Sequence, residues 1–290
     1  MARKIASEIG KQAAVAAALG WLLIASPRAE DASVAPIAPP MSPPCEVPAI
    51  DIAAPATLPN VMQALQRGVK VQILAIGSSS TLGSGASSKS RSYPAQLEAI
   101  LERALKGVDI VIVNRGVAGE VAETTAERIK SEVALKKPDL VLWQLGTNDA
   151  LARIPPQEFE QTVRSAVDWL KDNRIDVVLV GVQYTPRLAR DPNYVAIRES
   201  LQKIAADEKI LYVHRYDAMR FIAQTRANLQ LLSGDNFHLN DLGYQCMAEH
   251  VAHAVIVSLF VKRTRPAQSE PDAVKSLGTM SPTPSPGVLR

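Results

Sequence analysis

The chain has 290 residues, and its 32 Lys and Arg side chains nearly balance 29 Asp and Glu, so the formal net charge is only +3. This balance, without a clustered basic stripe, excludes a typical nucleic-acid-binding protein. Four His and two Cys are too few for a structural zinc module, and no apolar run reaches the roughly 20 residues of a membrane span.

Residues 1–29 have the layout of an export signal. Three basic side chains before residue 12 precede an apolar stretch at 13–25, and small residues follow it. The whole positive excess lies before residue 29, where Glu8 is the one acidic side chain. We therefore expect an exported protein, periplasmic or secreted, with this segment as a signal peptide or an uncleaved N-terminal anchor. A buried helix of a cytosolic protein is the alternative interpretation.

Proline-rich composition separates both flanks from the middle of the chain. Residues 30–60 contain eight prolines and predict a semi-extended linker, and residues 266–290 predict a disordered tail. The folded domain is predicted at 61–265. Cys45 lies in the linker and Cys246 near the end of the domain, so the two could pair in an oxidising compartment. Both could equally be free thiols, because the sequence sets no distance between them.

The middle of the chain alternates between two hydrophobic patterns. Five short apolar, β-branched runs predict strands that are covered on both faces, and segments of helical period lie between them. This alternation predicts an α/β domain, a three-layer α/β/α sandwich around a five-stranded parallel sheet. The predicted strands are 71–76, 109–113, 140–145, 177–182 and 210–213, and the clearest helical patterns are 97–105, 121–133, 159–170 and 247–259.

Ligands of parallel sheets bind at the carboxyl ends of the strands, so the residues there carry the functional information. The first strand is followed by Gly77-Ser78-Ser79-Ser80-Thr81, a turn that can present a hydroxyl at a helix N-terminus. A polar loop with an N-cap serine is the alternative interpretation. The turn lacks the phosphate-binding glycine motifs, and Thr81 stands where a G-x-S-x-G nucleophile elbow has its second glycine.

The next two strand ends carry further candidates. Asn114 to Glu120 includes Gly116 and Gly119, and glycines there permit a tight turn that leaves an N–H directed into the crevice. The third strand ends in Gly146-Thr147-Asn148-Asp149. Asn148 could donate a hydrogen bond to an oxyanion, or it could simply close the turn.

A carboxylate and an imidazole stand three residues apart just before the last helix. Asp235 could orient the ring of His238 while the other ring nitrogen serves a nucleophile. The alternative is an ordinary turn with a surface histidine and Asn240 as a helix cap. His238 is the only histidine that the pattern places on a strand-to-helix loop.

Together the four strand ends resemble the four sequence blocks of the SGNH hydrolases, also called the GDSL esterase/lipase family. The resemblance extends from about residue 71 to 259 and implies a flavodoxin-like α/β fold. It implies Ser79 as nucleophile, Gly119 and Asn148 as oxyanion-hole residues beside the Ser79 N–H, and Asp235 and His238 as the other triad members. The first block departs from the family, because Ser78 replaces Asp and Ser80 replaces Leu. Ser78 and Ser80 are thus rival nucleophiles, and the spacing from Gly77 favours Ser79.

The resemblance implies a serine esterase that works through an acyl-enzyme and needs no metal or organic cofactor. The expected substrates are small-molecule, lipid or polysaccharide esters, with small acyl or O-acetyl esters favoured. Tyr184 and Arg187 follow the fourth strand and are expected to rim the substrate cleft. The alternatives are an O-acyltransferase acting on envelope polysaccharide, a lysophospholipase or thioesterase, and a catalytically silent binding module on the same fold.

Overall fold

A computed structural model describes residues 38–260 of the chain. The predicted signal or anchor at 1–29, the first part of the predicted linker and the predicted tail at 266–290 lie outside the described residues. The predicted folded domain is described up to residue 260.

The sheet has six strands, which are β1 (Ala53–Ala54), β2 (Val71–Gly77), β3 (Ile110–Gly116), β4 (Leu140–Gln144), β5 (Asp176–Val180) and β6 (Leu211–Val213). Their order in the sheet is β1-β6-β5-β4-β2-β3, and β2 to β6 are parallel. The predicted α/β class and parallel sheet are confirmed. The sixth strand, β1, is a two-residue edge strand that pairs antiparallel with β6. Two alanines in a proline-rich segment carry no strand pattern, so the sequence predicts only five strands.

The helices are α1 (Pro59–Gln66), α2 (Ser79–Leu82), α3 (Tyr93–Ala104), α4 (Ala122–Lys136), α5 (Thr147–Leu151), α6 (Pro156–Asp172), α7 (Pro192–Glu208), α8 (Arg215–Thr225) and α9 (Asp241–Leu259). They cover both faces of the sheet, because successive strand residues place apolar side chains on both faces. In β2, Ile73 and Ala75 pack into one core with α1, α3, α8 and α9, whereas Leu74 and Ile76 pack into the other with α4, α6 and α7.

The strand order reverses direction at β2. The chain passes from β2 outward to β3, returns to β4 on the other side of β2, and continues outward through β5 and β6. A crevice forms at such a switch point, outside the carboxyl ends of the two diverging strands. The loops that follow β2 and β4 therefore meet at this crevice.

Residues 43–60 pack on the domain, which differs from the predicted linker. Cys45, Ile52 and Leu58 are buried in the core that contains α1 and α9, and a disulfide joins Cys45 to Cys246. The apolar residues spaced between the prolines bury enough surface to order this segment, although they follow no helical or strand period. The folded body thus begins well before residue 61.

A helix that crosses a bilayer needs about 20 consecutive, mostly apolar residues. None of the helices within residues 38–260 is both long enough and apolar enough to cross a membrane.

Candidate active site

The conformation of the Ser-rich turn after β2 depends on Gly77. Gly77 has φ +147°, and a Cβ at this position would lie 2.3 Å from the Gln144 carbonyl oxygen of β4. Only glycine allows the chain to pass this close and turn at once into α2. Ser78 is the N-cap of this short helix, Ser79 is its first residue, and Gly83 ends it in the left-handed region.

The three serines of the turn have different partners. The Ser78 hydroxyl donates to Gln144 Oε1 at 3.0 Å, and the Ser80 hydroxyl accepts from Arg215 Nη2 at 3.0 Å. Ser79 Oγ lies 3.2 Å from His238 Nε2, and the Ser79 residue is 8% exposed. Of the three serines, Ser79 is the one paired with an imidazole.

The loop before α9 orients the His238 ring through Asp235. Asp235 Oδ2 lies 2.6 Å from His238 Nδ1, while Oδ1 accepts the Ser233 hydroxyl and the backbone N–H groups of Phe237 and His238. The hydrogen bond from His238, aided by these other donors, holds the pKa of the Asp235 carboxyl well below its usual range. An ionised Asp235 fixes Nδ1 as the protonated ring nitrogen and leaves Nε2 to accept a proton.

The loop after β3 carries Gly119 and is tied to Asn148. Gly119 is exposed, with φ +84°, and a Cβ there would meet nothing within 4 Å. The next residue, Glu120, accepts a hydrogen bond from Asn148 Nδ2 on its carbonyl oxygen at 2.8 Å. Arg128 holds the Glu120 carboxylate through Nε at 2.6 Å and Nη2 at 2.7 Å. The Gly119 loop is therefore anchored to both α4 and α5.

The Asp149 carboxylate also connects the Gly119 loop to the turn after β4. Its Oδ1 accepts the Ala122 N–H at 2.7 Å, and its Oδ2 accepts the Gly146 N–H at 3.1 Å. Burial raises the pKa of Asp149, although these N–H donors oppose the rise. Asp149 thereby fixes the turn from which Asn148 projects.

A cavity of about 870 Å³ opens beside the His238 loop. Its wall includes Asp235 and Phe237 from that loop, together with Tyr184 and Arg187, both predicted substrate-binding residues, but neither Ser79 nor His238. Most of the remaining wall is apolar, including Leu151, Leu188, Met219, Leu229 and Leu231. Among residues 38–260, no group of three or more His, Cys, Asp or Glu side chains is placed to hold a metal ion.

Two buried polar side chains of the site were missed by the sequence analysis. Gln144, the last residue of β4, accepts the N–H and the hydroxyl of Ser78, and Arg215, the first residue of α8, donates to Ser80. Gln144 could have been found, because it is a polar residue inside an otherwise apolar strand run. No local signal distinguishes Arg215, since an arginine at a helix start is ordinarily exposed.

Comparison with known proteins identifies the family. The model of the non-GDSL lipase-like family matches residues 44–259. An arylesterase of Vibrio mimicus is 28% identical over 34% of this chain and 49% of its own length. Esterase TesA of Pseudomonas aeruginosa is 30% identical over 40% of this chain and 58% of its own length. The chain thus spans about half the length of the curated relatives it matches.

Solved structures agree on the fold. The crystal structure of a two-domain esterase active on acetylated mannans superposes with a TM-score of 0.63 and 18% identity, covering 78% of this chain and 61% of that one. This likeness shows the fold alone. The match of the family model to most of the chain agrees with the resemblance of its four sequence blocks to SGNH hydrolases, and the chain belongs to the non-GDSL lipase-like family.

Proposed function

We propose that this protein is a serine hydrolase of carboxylic esters, with Ser79 as nucleophile, His238 as general base and Asp235 as the residue that orients the imidazole. The observation that carries the proposal is the continuous hydrogen-bond chain between these three side chains, with distances of 3.2 Å and 2.6 Å. Nucleophile, base and orienting carboxylate in this order are the arrangement that activates a serine hydroxyl.

The reaction then proceeds in two halves. Ser79 Oγ attacks the ester carbonyl carbon while His238 Nε2 takes the hydroxyl proton, and a tetrahedral oxyanion forms. When this intermediate collapses, the bond to the alcohol breaks and His238 returns the proton to the leaving oxygen. Water, deprotonated by His238, attacks the acyl-enzyme, and the acid departs as Ser79 is reprotonated.

The oxyanion is held by the N–H groups of Ser79 and Gly119 and by the side chain of Asn148. Asn148 uses one Nδ2 hydrogen on the Glu120 carbonyl at 2.8 Å, which fixes the carboxamide plane. Its second hydrogen remains to bind the oxyanion. Donors fixed before the reaction stabilise the developing charge without a cost of reorganisation.

Small acyl or O-acetyl esters are the proposed substrates. The names of two curated relatives, an arylesterase and an esterase, support an ester substrate, and the name of the similar solved esterase, active on acetylated mannans, supports an acetyl group. Tyr184 and Arg187, which line the cavity beside Asp235, are the proposed contacts for the part of the ester that lies away from the scissile bond.

Turnover of p-nitrophenyl acetate tests the proposed reaction. We expect wild type to release p-nitrophenol and to be labelled by a fluorophosphonate, and Ser79→Ala to lose both. Ser78→Ala is the matched control, because it removes a neighbouring hydroxyl that binds Gln144 and not His238. An inactive and unlabelled wild type would overturn the proposal, as would labelling that persists in Ser79→Ala.

A series of p-nitrophenyl esters from acetyl to palmitoyl tests the substrate class. A kcat/KM that is highest for acetyl and falls steeply beyond butyryl supports short acyl groups. An optimum at octanoyl or longer contradicts the proposal and favours a lipase or thioesterase.

We also propose that the protein is exported, to the periplasm or the medium. The layout of residues 1–29 and the Cys45–Cys246 disulfide support this location, because disulfides persist in oxidising compartments. Full-length protein with a C-terminal epitope tag, expressed in a Gram-negative host and fractionated, should appear in the periplasm, the medium or the outer face of the inner membrane. Recovery in the cytosol would contradict export.

A further inference from the structure

Arg215 is buried beneath the Ser79 turn. Only 2% of the residue is exposed, and its Nη2 donates to Ser80 Oγ at 3.0 Å and to Gln183 Oε1 at 2.8 Å. The other two nitrogens, Nε and Nη1, are buried and have no hydrogen-bond partner within residues 38–260. Neither of its two acceptors is a carboxylate.

No charged group compensates the guanidinium within the described part of the chain. The titratable groups around it are the phenols of Tyr93 on α3, Tyr194 on α7 and Tyr244 on α9. Burial raises the pKa of all three, that of Tyr244 to about 12, so they stay neutral. Burial also lowers the pKa of Arg215. A buried, unpaired cation is costly, and an apolar residue of the same size would stabilise the fold better.

Both acceptors of Arg215 lead directly to the proposed triad. Ser80 follows Ser79 in the chain, so a bond to its hydroxyl holds the nucleophile turn. Gln183 links Arg215 to the His238 loop, because its Nε2 donates to the carbonyl oxygen of Phe237 at 2.8 Å. Phe237 is the residue before His238. A single nitrogen of Arg215 thus connects the two loops that carry the two partners of the proton transfer.

We propose that Arg215 is a positioning residue, which holds the Ser79 turn and the His238 loop at the separation that proton transfer requires. This inference rests on the proposed function. Arg215 itself need not touch the substrate, and it acts through Ser80 and Gln183. The hydrogen bond that it protects is the 3.2 Å contact between Ser79 Oγ and His238 Nε2.

Kinetics of Arg215→Met test this role. Methionine fills a similar volume and removes every donor, so we expect kcat for p-nitrophenyl acetate to fall by about 100-fold, the cost of a misplacement near 1 Å. KM should stay within about twofold, because no substrate contact is lost. Arg215→Lys keeps one donor group and should recover part of kcat. Ser80→Ala, a milder change that cuts one of the two connections, should lower kcat by a smaller factor.

Arg198→Met is the matched control. Arg198 is half-buried, with 21% of its side chain exposed and an unpartnered Nε. Its Nη1 lies 4.0 Å from Asp217 Oδ1, and its guanidinium carbon lies 4.4 Å from the ring centre of Tyr216. It bonds to neither loop. We expect kcat to stay within about threefold of wild type, so that a general effect of removing a buried arginine is separated from positioning.

Amide hydrogen exchange tests whether Arg215 holds the two loops in place, and it does not depend on enzymatic activity. Peptides covering 78–84 and 233–240 should exchange faster in Arg215→Met than in wild type, while those covering β4 and β5 should not change. A folded Arg215→Met with wild-type kcat and unchanged exchange in both loops would overturn the inference. If Arg215→Met does not fold, wild-type kcat and exchange in Ser80→Ala would overturn it. An inactive wild type would refute the proposed esterase, and the exchange data would still decide the role of Arg215.

Discussion

At the residue scale, the carboxamide of Asn148 is held in one orientation by one of its two N–H bonds, while the other N–H remains available as a donor. Its carboxamide is held by the Glu120 carbonyl, and it is the second residue of α5, whose N-cap Gly146 donates its N–H to the Asp149 carboxylate. The side chain is therefore held in one orientation for its proposed role as an oxyanion donor, and its contribution to stability is limited to one partly buried hydrogen bond.

We expect Asn148→Ala to lower kcat by about 100- to 1000-fold, the usual cost of one lost oxyanion donor. The free energy of unfolding should fall by only about 1 kcal/mol. Initial rates with p-nitrophenyl acetate and urea denaturation check the two values. If kcat remains near that of wild type, Asn148 does not bind the oxyanion.

Gly116 shows how tightly the backbone is packed around the nucleophile turn. A Cβ added to Gly116, at the end of β3, would lie 2.1 Å from the backbone nitrogen of Leu82 in α2. We expect Gly116→Ala to push α2 away, to lower the free energy of unfolding by about 1–3 kcal/mol, and to slow turnover. Gly234→Ala is the control, because a Cβ there meets nothing within 4 Å. Equal unfolding midpoints for the two variants would contradict this packing argument.

At the element scale, a buried carboxylate caps α1. Asp176, at the start of β5, accepts the backbone N–H groups of Asn60 and Val61 and the Asn60 side chain, at 2.7–3.0 Å. Burial raises the pKa of Asp176 from 3.8 to about 6, although the three donors oppose the rise. The folded state therefore binds this proton more tightly than the unfolded chain does.

Because the folded state binds this proton more tightly, raising the pH destabilises it. The raised pKa of Asp176 contributes roughly 3 kcal/mol to the stability of the folded state. This contribution is fully present below about pH 4 and is lost as the pH rises through about 6. The Asp176→Asn variant has no carboxyl group to titrate at this position. Its free energy of unfolding, relative to that of wild type, should therefore rise by roughly 3 kcal/mol between pH 4 and pH 7. Urea denaturation of both proteins across this range measures it. A constant difference between the two proteins would refute the argument.

The elements also show what the sequence could predict. Each predicted strand lies within a few residues of an observed one, because apolar β-branched runs mark strands that are buried on both faces. The four motifs are visible in the sequence because each is local, although only three of them follow strands and the fourth lies between α8 and α9. Arg215 and Gln144 act through contacts between elements, and β1 is held by its pairing with β6. Such contacts leave no period in the sequence, so Arg215 and β1 could not be identified from it, whereas Gln144 is marked only as a polar residue at the end of an apolar strand.

At the scale of the whole molecule, the disulfide joins residues 201 positions apart. Loops of this length lose much conformational entropy when they are closed in the unfolded state. We expect Cys45→Ser with Cys246→Ser to lower the free energy of unfolding by about 2–5 kcal/mol, measured by urea denaturation without reductant. The denatured, unreduced wild type should show no free thiol. Two thiols per chain would contradict the pairing.

The same bond encloses every proposed catalytic residue. Ser79, Gly119, Asn148, Asp235 and His238 all lie between Cys45 and Cys246 in the chain. A protease that cuts once anywhere in this interval produces two fragments that stay covalently joined, so neither Ser79 nor His238 can diffuse away. Such a nicked chain runs as one band on a non-reducing gel and as two after reduction.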